Sequence, residues 1–143
     1  MHHLDLGLFH YQVEYTRAFL KDLCGQIVVD EFDIRLSKIP RFPGLKIFGS
    51  GLENIKRFTA NEYRHMMKQM IFVVEGLTLK YHNSQNIPIN EAKKLNQDLV
   101  DVYLLWNSMY LMSRRDKFSE SDLTTFKVSL FESVFAFSQL VSN

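Results

Sequence analysis

Hydrophobic residues near the start of the chain recur every three or four positions, which is the period of an amphipathic helix. This stripe runs to Leu23, and Gly25 follows it as a typical helix stop. Its members are Leu6, Phe9, Val13, Phe19, Leu20 and Leu23. A second helix is predicted over residues 28–37, because Ile39 precedes Pro40 and a residue before proline avoids the α region.

A segment rich in proline and glycine, from about residue 40 to residue 57, separates these two helices from the rest of the chain. Its prolines and glycines favour irregular structure over a helix or a strand. Its large apolar residues indicate that it packs on the protein as a connector and does not separate two domains. They are Phe42, Leu45, Ile47, Phe48, Leu52 and Ile55. We therefore predict a single helical domain over residues 1–143.

A capping box is predicted at residues 59–62, Thr-Ala-Asn-Glu. In this motif the Thr hydroxyl accepts a hydrogen bond from the Glu amide, and the Glu carboxylate accepts one from the Thr amide. The helix that it opens is expected to run to about Leu77 and is apolar on nearly all sides after Gln69, which places it at the centre of the fold. Gly76 is expected to loosen this helix near its end.

Two more helices are predicted after the polar loop at residues 81–88. The apolar stripe of the first is Leu95, Leu99, Val102, Trp106, Met109 and Tyr110. Ser119 is a candidate cap for the second, whose stripe is Leu123, Phe126, Leu130, Val134, Phe137 and Val141. No segment shows sustained alternation with a period of two. The pattern thus predicts an all-α fold, an orthogonal bundle of about five helices with the connector packed on it.

Composition mainly excludes classes of protein. With 46% hydrophobic and 23% charged residues, the chain resembles an ordinary soluble domain. The 17 Lys and Arg against 16 Asp and Glu give a net charge of +1, so any contact with DNA must come from local clusters. The only cysteine, Cys24, excludes an internal disulfide and is expected to be a buried, inert thiol. The N-terminus lacks the features of a secretory signal, and apolar runs such as Met70–Val74 are too short to span a membrane. We expect a soluble protein of the nucleus or cytoplasm.

Potential metal ligands are dense only at the N-terminus, where His2, His3, Asp5 and His10 lie close together in sequence. The spacing of a zinc motif is absent, so a partly exposed N-terminal turn is the favoured interpretation. His65 lies between basic residues and is interpreted as a surface or boundary residue. No metal site and no cofactor are predicted.

Glu75 lies in the most apolar predicted helix. Burial would raise its pKa and make it a functional candidate, whereas the favoured interpretation places it on the open side of that helix. The sequence shows no glycine-rich phosphate loop, no nucleophile elbow and no paired catalytic carboxylates. No catalytic residue is therefore assigned.

Basic residues form two clusters that could lie side by side in one basic strip, and this strip is a candidate site for DNA phosphates. One cluster surrounds the start of the central helix, and the other follows the helix of Trp106. The alternative is that these charges only solvate the ends and outer faces of helices. The predicted DNA-binding residues are Lys56, Arg57, Arg64, Lys68, Arg114, Arg115 and Lys117.

Three sequence blocks in the first eighty residues stand in an order that resembles a known family. They are MHHLDLGLF at residues 1–9, IPRFPGLKIF at 39–48, and LENIKRFTANEYR at 52–64 with Met67 and Lys68 behind it. Together they resemble large fungal DDE transposases of the Plavaka and KDZ type, and more loosely the plant CACTA (En/Spm-like) transposases. The last third of the chain is similar to these proteins only in being helical.

The resemblance implies a helical segment that follows the second metal-binding Asp of an RNase H-like core. In the family an acidic residue precedes the Met-His pair, whereas this chain starts at Met1 and Asp5 occupies a different position. Catalysis by this chain alone is therefore not expected. The first hypothesis is a non-catalytic insertion-type domain, or a relic, of a transposon-encoded transposase that supports binding of DNA or of another protomer. The alternatives are a stand-alone helical interaction domain derived from such an element and a small enzyme, for which no residue set is visible.

Overall fold

The computed structural model describes residues 7–83 and 86–142, and the side chains of residues 7–83 and 86–139. This part of the chain is helical and contains no strand, so the predicted all-α class is confirmed. A 3₁₀ turn covers Ile55–Arg57. The helices are α1 (Phe9–Cys24), α2 (Gln26–Ser37), α3 (Ala60–Met67), α4 (Met70–Val74), α5 (Leu77–Tyr81), α6 (Ile89–Ser113) and α7 (Glu120–Ser142).

Gly25 ends α1, as the sequence predicts. Its backbone has φ 79° and ψ 175°, a conformation that residues with a Cβ atom rarely adopt. Its amide donates to the carbonyl of Lys21. The chain turns here at once into α2. An ion pair of 2.7 Å between Arg17 and Asp33 then joins the two helices side by side.

The capping box at the start of α3 is confirmed. The Glu62 amide donates to Thr59 Oγ1 over 3.3 Å, and the Thr59 amide donates to Glu62 Oε2 over 2.7 Å. Lys46 of the preceding segment also donates to Glu62 Oε1 over 2.6 Å. These bonds to the ionised form lower the pKa of Glu62 to about 2, with the Lys46 bond as the largest cause.

The helix opened by the capping box ends at Met67 and does not continue to Leu77, so this prediction is wrong. The cause is the buried side chain of Gln69, whose amide nitrogen donates to the carbonyl oxygens of His65 and Lys46. In a continuous helix the His65 carbonyl would accept from the Gln69 backbone amide. That amide instead donates to Met66, and the chain bends before α4 begins.

A second interruption separates α4 from α5 at Gly76, close to where the sequence predicts that the helix loosens. Gly76 has φ 68°, in the left-handed region. Arg35 of α2 donates to the carbonyl oxygens of Val73 and Glu75 over 3.2 and 2.6 Å, which satisfies two groups that the end of α4 leaves unpaired. The side chain of Glu75 is exposed, so its interpretation as a residue on the open side is confirmed.

The predicted connector packs only in part on the helices. Phe48, Leu52 and Ile55 are buried, whereas Phe42 and Ile47 are exposed, so the prediction of packing is wrong for these two. A tight approach fixes the buried part: Gly51 has φ 57°, and a Cβ atom there would lie 2.8 Å from the Cβ atom of Asp33 on α2.

The long helix α6 crosses the core, and its predicted apolar stripe is buried, including Trp106. A buried hydrogen-bond chain joins it to α1: the Tyr103 hydroxyl donates to Thr16 Oγ1 over 3.0 Å, and Thr16 donates to the Gln12 carbonyl over 2.8 Å. Tyr103 and Thr16 are both completely inaccessible to solvent. Burial also raises the pKa of Tyr103, which keeps its hydroxyl protonated.

Helix α7 packs against the core through Phe126, Leu130 and Phe137 and leaves its opposite side exposed. The predicted stripe is wrong at Leu123 and Val134, which are exposed, and Val141 lies outside the described side chains. The helix carries apolar residues on two faces, so spacing alone cannot identify the buried one. Among the described residues, no helix combines the length and hydropathy that a membrane span requires.

Candidate functional site

A cleft of about 370 Å³ lies between α3 and the last turns of α6. It brings together cations from the two basic clusters of the sequence: Arg64 and Lys68 at the end of α3, and Arg114 at the end of α6. The full lining is Asn61, Arg64, His65, Met67, Lys68, Asn107, Tyr110, Leu111 and Arg114. Residues 46 positions or more apart in sequence therefore form one basic surface, which is called the basic cleft below.

Two hydrogen bonds hold the walls of the basic cleft together. Arg64 Nε donates to the Tyr110 hydroxyl over 3.1 Å, and Asn107 Nδ2 donates to the carbonyl of Met67 over 3.1 Å. The second bond satisfies a carbonyl at the end of α3, where the helix can no longer do so. Each wall is thus held by a side chain from the other helix, and the Arg64 guanidinium has a defined position in the cleft.

The ionised side chains that line the basic cleft are all cationic. No acidic residue of the described chain lines it. The pKa of His65 is lowered, first because burial disfavours the charged ring and then because Lys68 and Lys46 lie nearby. His65 Nδ1 is also buried without a hydrogen-bond partner among the described residues. The neutral ring therefore adds no charge, and the guanidinium and ammonium groups supply the positive charge.

The other four predicted DNA-binding residues do not line the basic cleft. Lys56 and Arg57 lie exposed on the 3₁₀ turn, and Lys117 is exposed between α6 and α7. Arg115 forms an ion pair of 2.6 Å with Asp122. For these four residues, contact with DNA stays a prediction.

The histidines considered as metal ligands are only partly described. His2, His3 and Asp5 lie outside the described residues. His10 contacts Glu14 over 3.1 Å through Nε2 and the Tyr63 hydroxyl over 2.5 Å through Nδ1. The described residues contain no group of three His, Cys, Asp or Glu side chains that could hold a metal ion.

Cys24 is buried at the end of α1, as the sequence predicts. Burial raises the pKa of its thiol, which lowers the fraction of reactive thiolate. This side chain therefore contributes to packing and offers no nucleophile.

A second cleft, of about 340 Å³, was not predicted from the sequence. It is apolar and lies between α1, α6 and α7, with Gln12 and Trp106 in its wall. The exposed pair Tyr11 and Tyr15, four positions apart on α1, was the available sequence signal, because it widens the apolar face of that helix. Nothing in the sequence shows that α7 lies across this face.

Comparison with known proteins returns no relative: no protein-family model matches the chain, and no curated protein or solved structure is significantly similar to it. The resemblance to DDE transposases therefore stays a prediction.

Proposed function

We propose that this chain is a non-catalytic helical domain of the kind inserted in DDE transposases, and that it holds DNA phosphates in the basic cleft. One observation carries the proposal: Arg64, Lys68 and Arg114 line one cleft that contains no carboxylate among the described residues. Cations that only solvate a surface are usually interspersed with acidic residues. A nuclear location follows from the proposed DNA partner.

The charged groups of the basic cleft determine which part of DNA it suits. Guanidinium and ammonium groups form charge-assisted hydrogen bonds with phosphate oxygens, and Arg64, Lys68 and Arg114 supply them. Phosphate contacts give affinity and position without reading sequence. We therefore expect binding that is independent of sequence and decreases steeply with salt.

Strand cleavage and transfer are assigned in this proposal to an RNase H-like catalytic core outside the described helices. Two-metal phosphoryl transfer needs several carboxylates that converge on ions about 3.5–4 Å apart. Glu75 is exposed and does not line the cleft. The purified chain with Mg²⁺ or Mn²⁺ should therefore not cleave or join DNA. Cleavage that disappears in Asp5→Asn or Glu75→Gln would contradict this assignment.

The binding test uses a fluorescently labelled DNA duplex and anisotropy titrations at several salt concentrations. Three phosphate contacts predict a slope of log K against log salt of about −2.7. The double variant Lys68→Glu/Arg114→Glu should weaken binding about tenfold or more at low salt and reduce the slope to about −0.9. Arg57→Glu, outside the cleft, should have a much smaller effect.

The matched control is Lys93→Glu/Lys94→Glu, which makes the same change in net charge. Both lysines are exposed in the first turns of α6, about 30 Å along the helix from Arg114. An equal loss of affinity in the control would mean that net charge binds DNA and that the cleft does not. Circular dichroism verifies that each variant stays helical.

A stand-alone protein-interaction domain derived from such an element is the second candidate. The observation that favours it is the exposed apolar face of α7, which is of the kind that binds protein. Undetectable DNA binding at low salt would favour this candidate. In the genome, an upstream open frame that encodes an Asp-bearing, β-rich half would favour the transposase domain.

A further inference from the structure

The exposed face of α7 carries a stripe of apolar side chains that the bundle does not use. Val128, Phe131 and Phe135 follow one another at spacings of three and four, so they lie on one side of the helix. They are 51%, 77% and 64% exposed, against 4% for Ser133 on the opposite side, which faces the core. These three residues are called the α7 stripe below.

Charged residues border the α7 stripe on both sides. In a heptad frame with Val128 and Phe135 at position a and Phe131 at position d, Lys127 takes position g and Glu132 takes position e. In a parallel pair of helices, position g of one helix lies beside position e of the next heptad of its partner. Lys127 and Glu132 are separated by the five positions that this contact requires.

We propose that the α7 stripe is the interface of a parallel homodimer, in which the two copies of α7 pack along a common two-fold axis. Val128, Phe131 and Phe135 would form its centre, and Lys127 of each copy would pair with Glu132 of the other. An antiparallel pair would place Lys127 beside Lys127 on one side and Glu132 beside Glu132 on the other. The charges therefore favour the parallel arrangement.

The available area agrees with such a dimer. The stripe exposes on the order of 350 Å² per protomer, if a fully exposed Phe offers about 200 Å². Two copies of the stripe supply about 700 Å². The exposed side chains that flank it, Lys127, Glu132 and Val134, bring the total towards the value of about 1,000 Å² that marks specific interfaces. Because the bundle of each protomer lies behind its own α7, on the side of Leu130 and Phe137, the two bundles remain on opposite sides of the helix pair.

Sedimentation velocity over the micromolar range tests the interface without DNA, so its outcome is independent of the basic cleft. The chain should show a concentration-dependent dimer, and Phe131→Ser/Phe135→Ser should be monomeric throughout. Phe72→Ser is the matched control, because Phe72 on α4 is 68% exposed and lies outside the stripe. A wild-type chain that stays monomeric throughout this range would overturn the proposal and assign the stripe to a different polypeptide.

Charge reversal and crosslinking test the parallel arrangement. Lys127→Glu should raise the dimer dissociation constant about fivefold or more, and Lys127→Glu/Glu132→Lys should restore it. Val128→Cys should form an intermolecular disulfide on oxidation, because facing a positions bring Cα atoms within the range of about 4.4–6.8 Å. Leu123→Cys, exposed on another side of α7, is the control. A dimer that crosslinks no better through residue 128 than through residue 123 would exclude parallel packing.

Discussion

Replacing Thr16 by Val removes the hydroxyl that accepts a hydrogen bond from Tyr103 and nearly preserves the shape of the side chain. Both residues are fully buried, so no water replaces the lost acceptor. The Tyr103 hydroxyl then remains unpaired in the core. Leaving a buried polar group unsatisfied costs about 1–3 kcal/mol, and Thr16→Val should destabilise by that amount.

Replacing Tyr103 by Phe should cost less. Thr16 keeps its own hydrogen bond to the Gln12 carbonyl, so this variant loses a hydrogen bond without leaving a donor unpaired. The expected loss is about 0.5–1.5 kcal/mol. In the double variant both polar groups are gone, and the total loss should be smaller than the sum of the single losses by about 1 kcal/mol or more.

Urea unfolding followed by circular dichroism, at one temperature and near neutral pH, measures all four proteins of this cycle. The dependence on urea should be the same in each, so that differences in midpoint report stability. Additive losses would show that the two hydroxyls do not interact. A Tyr103→Phe variant that is less stable than Thr16→Val would refute the argument that an unpaired buried hydroxyl costs more than the loss of a hydrogen bond.

Other substitutions test the core, the connector and the capping box by the same unfolding assay. Trp106→Ala should cost about 3–5 kcal/mol, and the native emission of this only tryptophan should be that of a buried indole; emission typical of a solvent-exposed indole would contradict the described packing. Gly44→Ala should cost about 1 kcal/mol, because its backbone has a positive φ. Gly51→Ala should cost about 1–3 kcal/mol more, because the new Cβ atom would also meet Asp33. Equal losses in the two variants would exclude the close approach of Gly51 to Asp33. Glu62→Gln should reduce stability at pH 7 and have little effect near pH 2. The folded pKa of Glu62 is about 2 and its ordinary value 4.5, so its contribution is complete above about pH 4.5 and is lost as the pH falls through 2; a difference independent of pH would contradict this.

The features that the sequence predicts correctly are those set by neighbouring residues. Gly25, the capping box at Thr59 and the cap at Ser119 act within four positions, and each ends or begins a helix as predicted. The break at Gln69 was missed because its cause includes a bond to Lys46, which lies 23 positions away. Its amide side chain carries no local signal of this.

The same limit applies to the basic cleft. The sequence shows Arg64 and Arg114 as members of two separate clusters, and only the antiparallel approach of α3 and α6 joins them. Arg115 lies outside the cleft and forms an ion pair with Asp122 of the following helix. Residue type therefore predicted that the surface is basic. Which basic residues line the cleft depended on tertiary structure.

The two hydrogen bonds from Arg35 make the folding of α4 and α5 depend on the position of α2. Helices α4 and α5 have five residues each, too few to form alone in water. The Glu75 carbonyl, which follows α4, accepts a hydrogen bond from a residue 40 positions earlier, so the bonding of α4 and α5 is complete only when α2 is docked. Amide hydrogen exchange in α4 and α5 should consequently show the same opening free energy as in α2, as one cooperative unit.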